Sequence, residues 1–304
     1  MEDNSQIELQ ERFQKAADSF VTKVKADPNL IAVIICGSLA YDKVWEKSDI
    51  DMTLIVRDQR LTSDSYCIIE DDITINVNIL IRSNFKRFLE NADAGWFTHS
   101  YYSRAKILYT IDDTLIEYLE DYKNMGRDDI EESVLLYACE LVNIHEKCVK
   151  WLKVKKNPLY AQYYLLKAAE AISRIEVHLE GESPNREAIL RAVELNPVLM
   201  QPFYQDAMSH YYSEMEVEQT NDLIMKYLES HLDIIKKPVL SYMQDQEIKT
   251  VTMITKYFHT ESHFIIGIFD YLAEMGVIAK VSQAIRITPK SKLAVEEIAY
   301  VYVA

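Results

Sequence analysis

Leu9, Phe13, Ala16, Phe20 and Val24 recur at helical spacing, a single apolar stripe that predicts an amphipathic helix over 5–25. Asp27-Pro28-Asn29 ends it. Ile31 to Cys36 is an unbroken apolar run, the pattern of a strand covered on both faces. Gly37-Ser38 follows, then a stretch of helix and loop. From 49 to 56 the chain alternates, with Asp49, Asp51 and Thr53 on one face and Ile50, Met52 and Leu54 on the other. Residues 73–80 alternate again, Thr74, Asn76 and Asn78 against Ile73, Ile75, Val77 and Ile79. A helix is expected over 84–91, a short strand over 107–109, and a helix from Asp112-Asp113 to Tyr122.

Between Asp128 and Leu240 the strand period vanishes. Helices are predicted over 130–153, 158–180, 185–195, 198–212 and 217–235, punctuated by Gly181, Pro184, Pro197 and Pro202. The tail changes again: a helix over 248–258, a turn at His259-Thr260-Glu261, and a helix ending at Gly276. A ribbon of Val277–Val281 and Ala284–Thr288 comes next, then a last helix opened by Pro289. That order predicts a winged helix-turn-helix. The expected fold class is α+β: a small mixed-sheet domain at 1–122, an α-helical bundle at 123–245 and a winged-helix-like domain at 246–304.

Charge narrows the partners. The chain holds 33 Lys and Arg against 48 Asp and Glu, a net charge of −15, which argues against non-specific binding to polynucleotides or anionic lipid. In residues 241–304 six Lys and Arg face seven Asp and Glu, and "ESHFIIGIFDYLAEMG", where a recognition helix would lie, has neither Lys nor Arg. DNA is therefore not the expected partner of the tail; packing or self-association is, with a second copy of the chain as a candidate partner. Cys36, Cys67, Cys139 and Cys148 include no C-x-x-C pair, the acidic N-terminus lacks a signal peptide's apolar core, and no run is long enough to span a membrane. A reduced, cytoplasmic protein is expected.

Gly37-Ser38 and Asp49-Ile50-Asp51 carry the chemistry. A glycine at the end of a buried strand lets the backbone approach a ligand closely. Ser38 adds a hydroxyl, and the helix after it would aim N–H groups at an anion. Asp49 and Asp51 leave one face of a strand, where two carboxylates repel unless a cation sits between them. Mg²⁺ shared with substrate phosphates meets that need.

The stretch "IAVIICGSLAYDKVWEKSDIDMTLIV" resembles the nucleotidyltransferase superfamily of the DNA polymerase β-like fold, whose mark is a strand, Gly-Ser, a short spacer and Asp-x-Asp. "AKILYTIDDTLIEYL" is similar to the strand and helix that close this domain in small members. "LYAQYYLLKAAEAISRI" and "AILRAVELNP" resemble the helical domain of kanamycin (aminoglycoside) nucleotidyltransferases. The resemblance implies a triphosphate held by Gly37 and Ser38, Mg²⁺ held by Asp49 and Asp51, and transfer of a nucleoside monophosphate from an NTP to a hydroxyl on a small-molecule acceptor. It also implies a third carboxylate on the neighbouring strand, where this chain has Asn76. An amide can lend oxygen to a metal but brings no charge and takes no proton. The family's arginine soon after Gly-Ser is absent from Leu39-Ala40-Tyr41-Asp42. By the same resemblance Glu146 would be the general base and Lys150 a phosphate contact; Glu140 is a second candidate base, and an ordinary surface ion pair is the alternative for Glu146 and Lys150. The histidines, including His259 and His263, show no metal-ligand spacing that survives the turn between them. Tyr160, Tyr163, Tyr164, Tyr211 and Tyr212 are read as bundle packing rather than a stacking platform for bases. Two activities follow as expectations: a Mg-dependent nucleotidyltransferase, or a catalytically degenerate fold that binds nucleotide in a regulatory or interaction role.

Overall fold

The apolar runs of the first third build a five-stranded mixed sheet. Its strands, β1 (Leu30–Cys36), β2 (Ile50–Val56), β3 (Ser65–Glu70), β4 (Ile73–Ile81) and β5 (Lys106–Thr110), stand in the order β3-β4-β2-β1-β5. β2 and β4 are parallel; every other neighbouring pair is antiparallel. The computed structural model describes residues 2–37, 39, 44–90, 101–102, 104–123 and 127–303. The chain divides into two units, residues 1–125 and 126–304.

All seven residues of β1 are buried, as a central strand covered on both faces requires. On one face α1 (Glu2–Val24) lays Phe13, Ala16, Ala17 and Phe20 over Val33, Ile35, Met52 and Ile75. On the other, α2 (Arg82–Glu90) and α3 (Thr114–Lys123) bring Phe85, Leu89, Leu115 and Leu119 against Ala32, Ile34 and Ile55. Alternation puts Asp51 and Thr53 of β2, and Asn76 and Asn78 of β4, on this second face. α1 is also fastened to the sheet edge: Glu70 of β3 accepts hydrogen bonds from Ser19 at 2.6 Å and from Lys23 at 2.7 Å.

The hydrophobic pattern did not predict β3. It is an edge strand, exposed along most of its length, so its sequence carries little core signal. It reaches β4 through Asp71-Asp72, with φ of 50° and 61°. Positive φ at both central residues is the geometry of a tight type I′ hairpin turn.

The second unit is helical at first. α4 (Arg127–Val149) continues into a π-helical turn at Lys150–Val154. α5 (Pro158–Leu179) starts with Asn157 accepting from the Tyr160 N–H and with proline in the first turn. α6 is Ala188–Leu195, α7 is Glu214–Ser230 and α8 is Leu232–Tyr242. The helix expected over 217–235 is thus two, parted at His231, and the one expected over 198–212 ends at Ser209 after a π-helical turn at Gln201–Gln205. Beyond Ser209 the chain is held by buried Gln162. Its Nε2 donates to Ala207 O at 2.8 Å and His210 O at 2.7 Å, and its Oε1 accepts from Tyr212 N at 2.9 Å.

The tail runs β6 (Lys249–Thr250), α9 (Val251–Tyr257), α10 (Ser262–Glu274), β7 (Ala279–Ile285) and β8 (Val295–Val301), its strands ordered β6-β8-β7. Three expectations are corrected. The 248–258 helix begins with a strand, the arms expected at 277–281 and 284–288 merge into the single strand β7, and no helix follows Pro289 among the described residues. Residues 295–301 are instead a strand pairing with β7 from Ala279↔Val301 to Ile285↔Val295. Pairing on that side, and with β6 through Thr250↔Ala299, satisfies backbone groups that a helix would have bonded internally. Helix α10 shares one core with α4: Ile265, Ile268, Phe269 and Leu272 lie in the same buried cluster as Leu135, Cys139 and Val142.

Candidate active site

Strand pairing places the site. Across the sheet Cys67 of β3 is opposite Asn76 of β4, Asn76 opposite Asp51 of β2, and Asp51 opposite Cys36 of β1. Residues directly opposite in a sheet project to one face, so these four form a transverse row. Asp49 immediately precedes β2 on the same alternation. The Asn76 amide joins the two aspartates: its Nδ2 donates to Asp49 Oδ2 at 2.5 Å and reaches Asp51 Oδ1 at 3.5 Å.

Gly37 borders the row where β1 ends. Its φ is +69°, and a Cβ built on it would stand 2.5 Å from Asp51 Oδ2. The close backbone approach expected of this glycine is therefore toward one of the two aspartates. Ser38 lies outside the described residues. Gly37, Asp49, Asp51 and Asn76 are brought together.

Below Asp51 the polar row becomes core. Thr53 is fully buried and its hydroxyl shares a 2.8 Å hydrogen bond with the Tyr102 hydroxyl. The Cys36 thiol, hydrogen-bonded to Thr53 and Tyr101, is pushed up to about 12, chiefly by burial. Burial also raises Tyr101, with Cys36 and then Asp51 adding repulsion against a phenolate. These groups stay neutral and support the floor of the site. Their part was missed in the sequence, where Tyr101 and Tyr102 lie in the connection just before β5 and no spacing signal marks them. Cys67 was missed with β3.

Glu146 and Lys150 are not in this unit. Both are exposed, Glu146 near the end of α4 and Lys150 at the start of the π-helical turn. No ion pair joins them among the described residues; the neighbouring Lys153 pairs with Glu218 at 2.6 Å. Glu140, one helical turn and a half earlier, is half-buried, and burial raises its carboxyl above the ordinary range. Arg174 and Lys167 oppose that rise while Glu170 adds to it. A cleft of about 810 Å³ lies in the second unit between the start of α5 and residues 207–211. Tyr160, Tyr163 and Tyr211 are exposed along it, whereas Tyr212 is buried. The tyrosines thus divide between bundle packing and a solvent-facing wall. Among the described residues no group of three or more His, Cys, Asp or Glu could hold a metal ion. No described helix is long and apolar enough to cross a membrane.

Two aspartates converging on one donor, beside a strand-ending glycine in a β1-β2-β4 arrangement, form a distinctive constellation. Residues 20–114 match the family Polymerase beta, Nucleotidyltransferase. No curated protein matches the chain. The chain is similar in structure to a nucleotidyltransferase-like protein from Exiguobacterium sibiricum, with a TM-score of 0.63 and 15% identity. That likeness covers 95% of this chain and 99% of the other. It shows a nucleotidyltransferase-like fold, mixed α and β, followed by a largely helical remainder. The donor set suits a divalent cation: two carboxylates already converge on one amide nitrogen, and that amide also carries an oxygen.

Proposed function

We propose that this nucleotidyltransferase unit binds a nucleoside triphosphate together with Mg²⁺ and transfers the nucleoside monophosphate to a hydroxyl of a small-molecule acceptor. The observation that carries the proposal is the meeting of Gly37, Asp49 and Asp51 on one sheet face. Gly37 and Ser38 would receive the phosphates, and Asp49 and Asp51 would hold the cation. When bound, Mg²⁺ would neutralise phosphate charge and polarise the phosphoryl oxygen. Asp49 and Asp51 would fix its place, and Gly37, with no side chain to displace Asp51, permits their approach.

A small acceptor agrees with the resemblance of the second third to aminoglycoside nucleotidyltransferases, and the net charge of −15 suits a cationic molecule better than a polynucleotide. Glu146 or Glu140 as base and Lys150 as phosphate contact are carried by that resemblance alone. We assign residues 246–304 a winged-helix-like module that packs rather than reads DNA.

Asn76 favours a second reading. A neutral amide stands beside Asp49 and Asp51 where a carboxylate would help activate the acceptor. A site that binds nucleotide but turns it over slowly would serve as a sensor or regulatory module. Calorimetry with Mg-NTP tests nucleotide binding: it is expected for the wild type and lost in Asp49→Ala/Asp51→Ala. A turnover assay then separates the readings, because Asn76→Asp raises turnover only if the machinery is otherwise complete.

A further inference from the structure

We infer that Asn76 makes this a one-cation site, in which the amide acts as a reversible latch on the two aspartates. The inference rests on the proposed nucleotide site and concerns how that site loads. The Asn76 Nδ2 lies between the two carboxylates, 2.5 Å from Asp49 Oδ2 and 3.5 Å from Asp51 Oδ1. An N–H donor placed there does in part what a cation would do, offsetting the repulsion of paired anions. The terminal torsion of asparagine is broad and nearly two-fold. A half-turn exchanges Nδ2 for Oδ1, converting a donor that competes with the cation into a neutral oxygen ligand, with no movement of β4.

The described residues of the protein supply charge for one ion. Asp49 and Asp51 carry two formal negative charges, which one divalent cation balances. The row that could have supplied a third contains Cys67, Asn76 and Cys36, and the next row along the strands contains Ser65, Asn78, Thr53 and Ile34. Neither holds another carboxylate, and among the described residues no third acid, histidine or cysteine joins the pair. A second ion would depend on nucleotide phosphate and neutral oxygens alone. Among the described residues, the carboxylates for a two-ion clamp, with separate metals on the attacking and leaving oxygens, are thus not present.

The test is equilibrium dialysis of the intact protein against Mn²⁺ with non-hydrolysable analogues of each of the four ribonucleoside triphosphates in turn. The excess of Mn²⁺ over the excess of nucleotide on the protein side gives ions per bound nucleotide. One Mn²⁺ is expected for the wild type and two for Asn76→Asp; Asn76→Ala, which has lost the latch without gaining charge, is expected to keep one. Two ions on the wild type would overturn the inference and leave the nucleotide site standing. So would one ion on a folded Asn76→Asp, since the charge inventory would then not set the count. If the wild type retains no nucleotide of any kind, the proposed function fails and the latch with it. Should Asn76→Asp not fold, the wild-type count decides alone.

Discussion

Gly37 and Asp51 leave no room between them for a methyl group: a Cβ on the glycine would stand 2.5 Å from Asp51 Oδ2. The glycine is also at φ +69°, where an L side chain is strained. Gly37→Ala should therefore lose roughly 1–2 kcal/mol of stability through the backbone. It should also lose nucleotide binding, because Asp51 must turn away. Denaturant unfolding reads the first effect and calorimetry with Mg-NTP the second. An alanine variant that binds as the wild type does would remove Gly37 from the site.

Cys67 offers a reporter on the same row. It is exposed, while Cys36, Cys139 and Cys148 are buried. Thiol reagents act on accessible thiolates, so the native protein should show one fast-reacting thiol, absent from Cys67→Ser. Cys67 is opposite Asn76 in the β3–β4 ladder. Mg-NTP in the proposed site should slow the fast phase severalfold. An unchanged rate at saturating nucleotide would place the ligand elsewhere.

Much of the first unit was legible because burial and period speak together there. β1 is apolar throughout, and β2 and β4 alternate, so Asp51 and Asn76 could be assigned to faces before any fold was known. That the two strands are neighbours, with Asn76 facing the aspartates, followed from resemblance rather than from period; their parallel pairing came from neither. β3 was illegible for the opposite reason: an exposed edge strand needs no apolar alternation, and its hairpin turn is made by Asp71-Asp72 rather than a glycine pair. In the tail, "LAVEEIAY" has a helical composition, but pairing with β7 and β6 makes Val295–Val301 a strand. Tertiary pairing overrode local preference.

Two carboxyls make opposite demands on pH. Hydrogen bonds from Lys23 and then Ser19 hold Glu70 below its ordinary range. Its folded pKa is lower than its unfolded one, so its contribution is complete above the unfolded value and is lost as pH falls through the folded one. Glu70→Gln should be less stable than the wild type at neutral pH and should show a shallower acid limb. Thermal melts from pH 3 to pH 8 check the sign; parallel acid limbs would show that the α1–β3 link is not what titrates.

Glu140 runs the other way. Burial raises its folded pKa, so the native state holds the proton more tightly than the unfolded chain. Stability therefore falls as pH rises from the unfolded to the folded value, and the full cost persists above both. Glu140→Gln, which keeps the shape and removes the charge, should be more stable than the wild type near pH 8 and equal to it near pH 3. If Glu140→Gln is instead less stable at pH 8, the attraction of Arg174 and Lys167 outweighs burial.

The second helix of the tail packs against the helical bundle. Ile265, Ile268, Phe269 and Leu272 of α10 are buried in the core that includes α4. The two helices meet closely: a Cβ on Gly267 would be 3.0 Å from Val142 Cγ1, and the Asn143 amide donates to Phe264 O at 2.9 Å. What α10 leaves exposed includes Ser262, His263 and Glu274, none of them a fixed cation. The nearby Lys280 is tied to Asp270 at 2.8 Å. A duplex would find little positive charge there to exchange for its counterions. Removing 246–304 should uncover the α4 face, each large side chain left bare costing roughly 1.5–3 kcal/mol, so the truncated chain should unfold or aggregate. Gly267→Leu should overpack the contact by roughly 1–3 kcal/mol, and adding Val142→Ala should recover part of that loss. Fluorescence anisotropy with mixed-sequence duplex at about 150 mM salt should show no binding in the micromolar range, where non-specific binders are already visible. Salt-sensitive binding that disappears in Lys290→Glu/Lys292→Glu would reverse the assignment, because the loop between β7 and β8 would then be reading DNA while α10 stays packed.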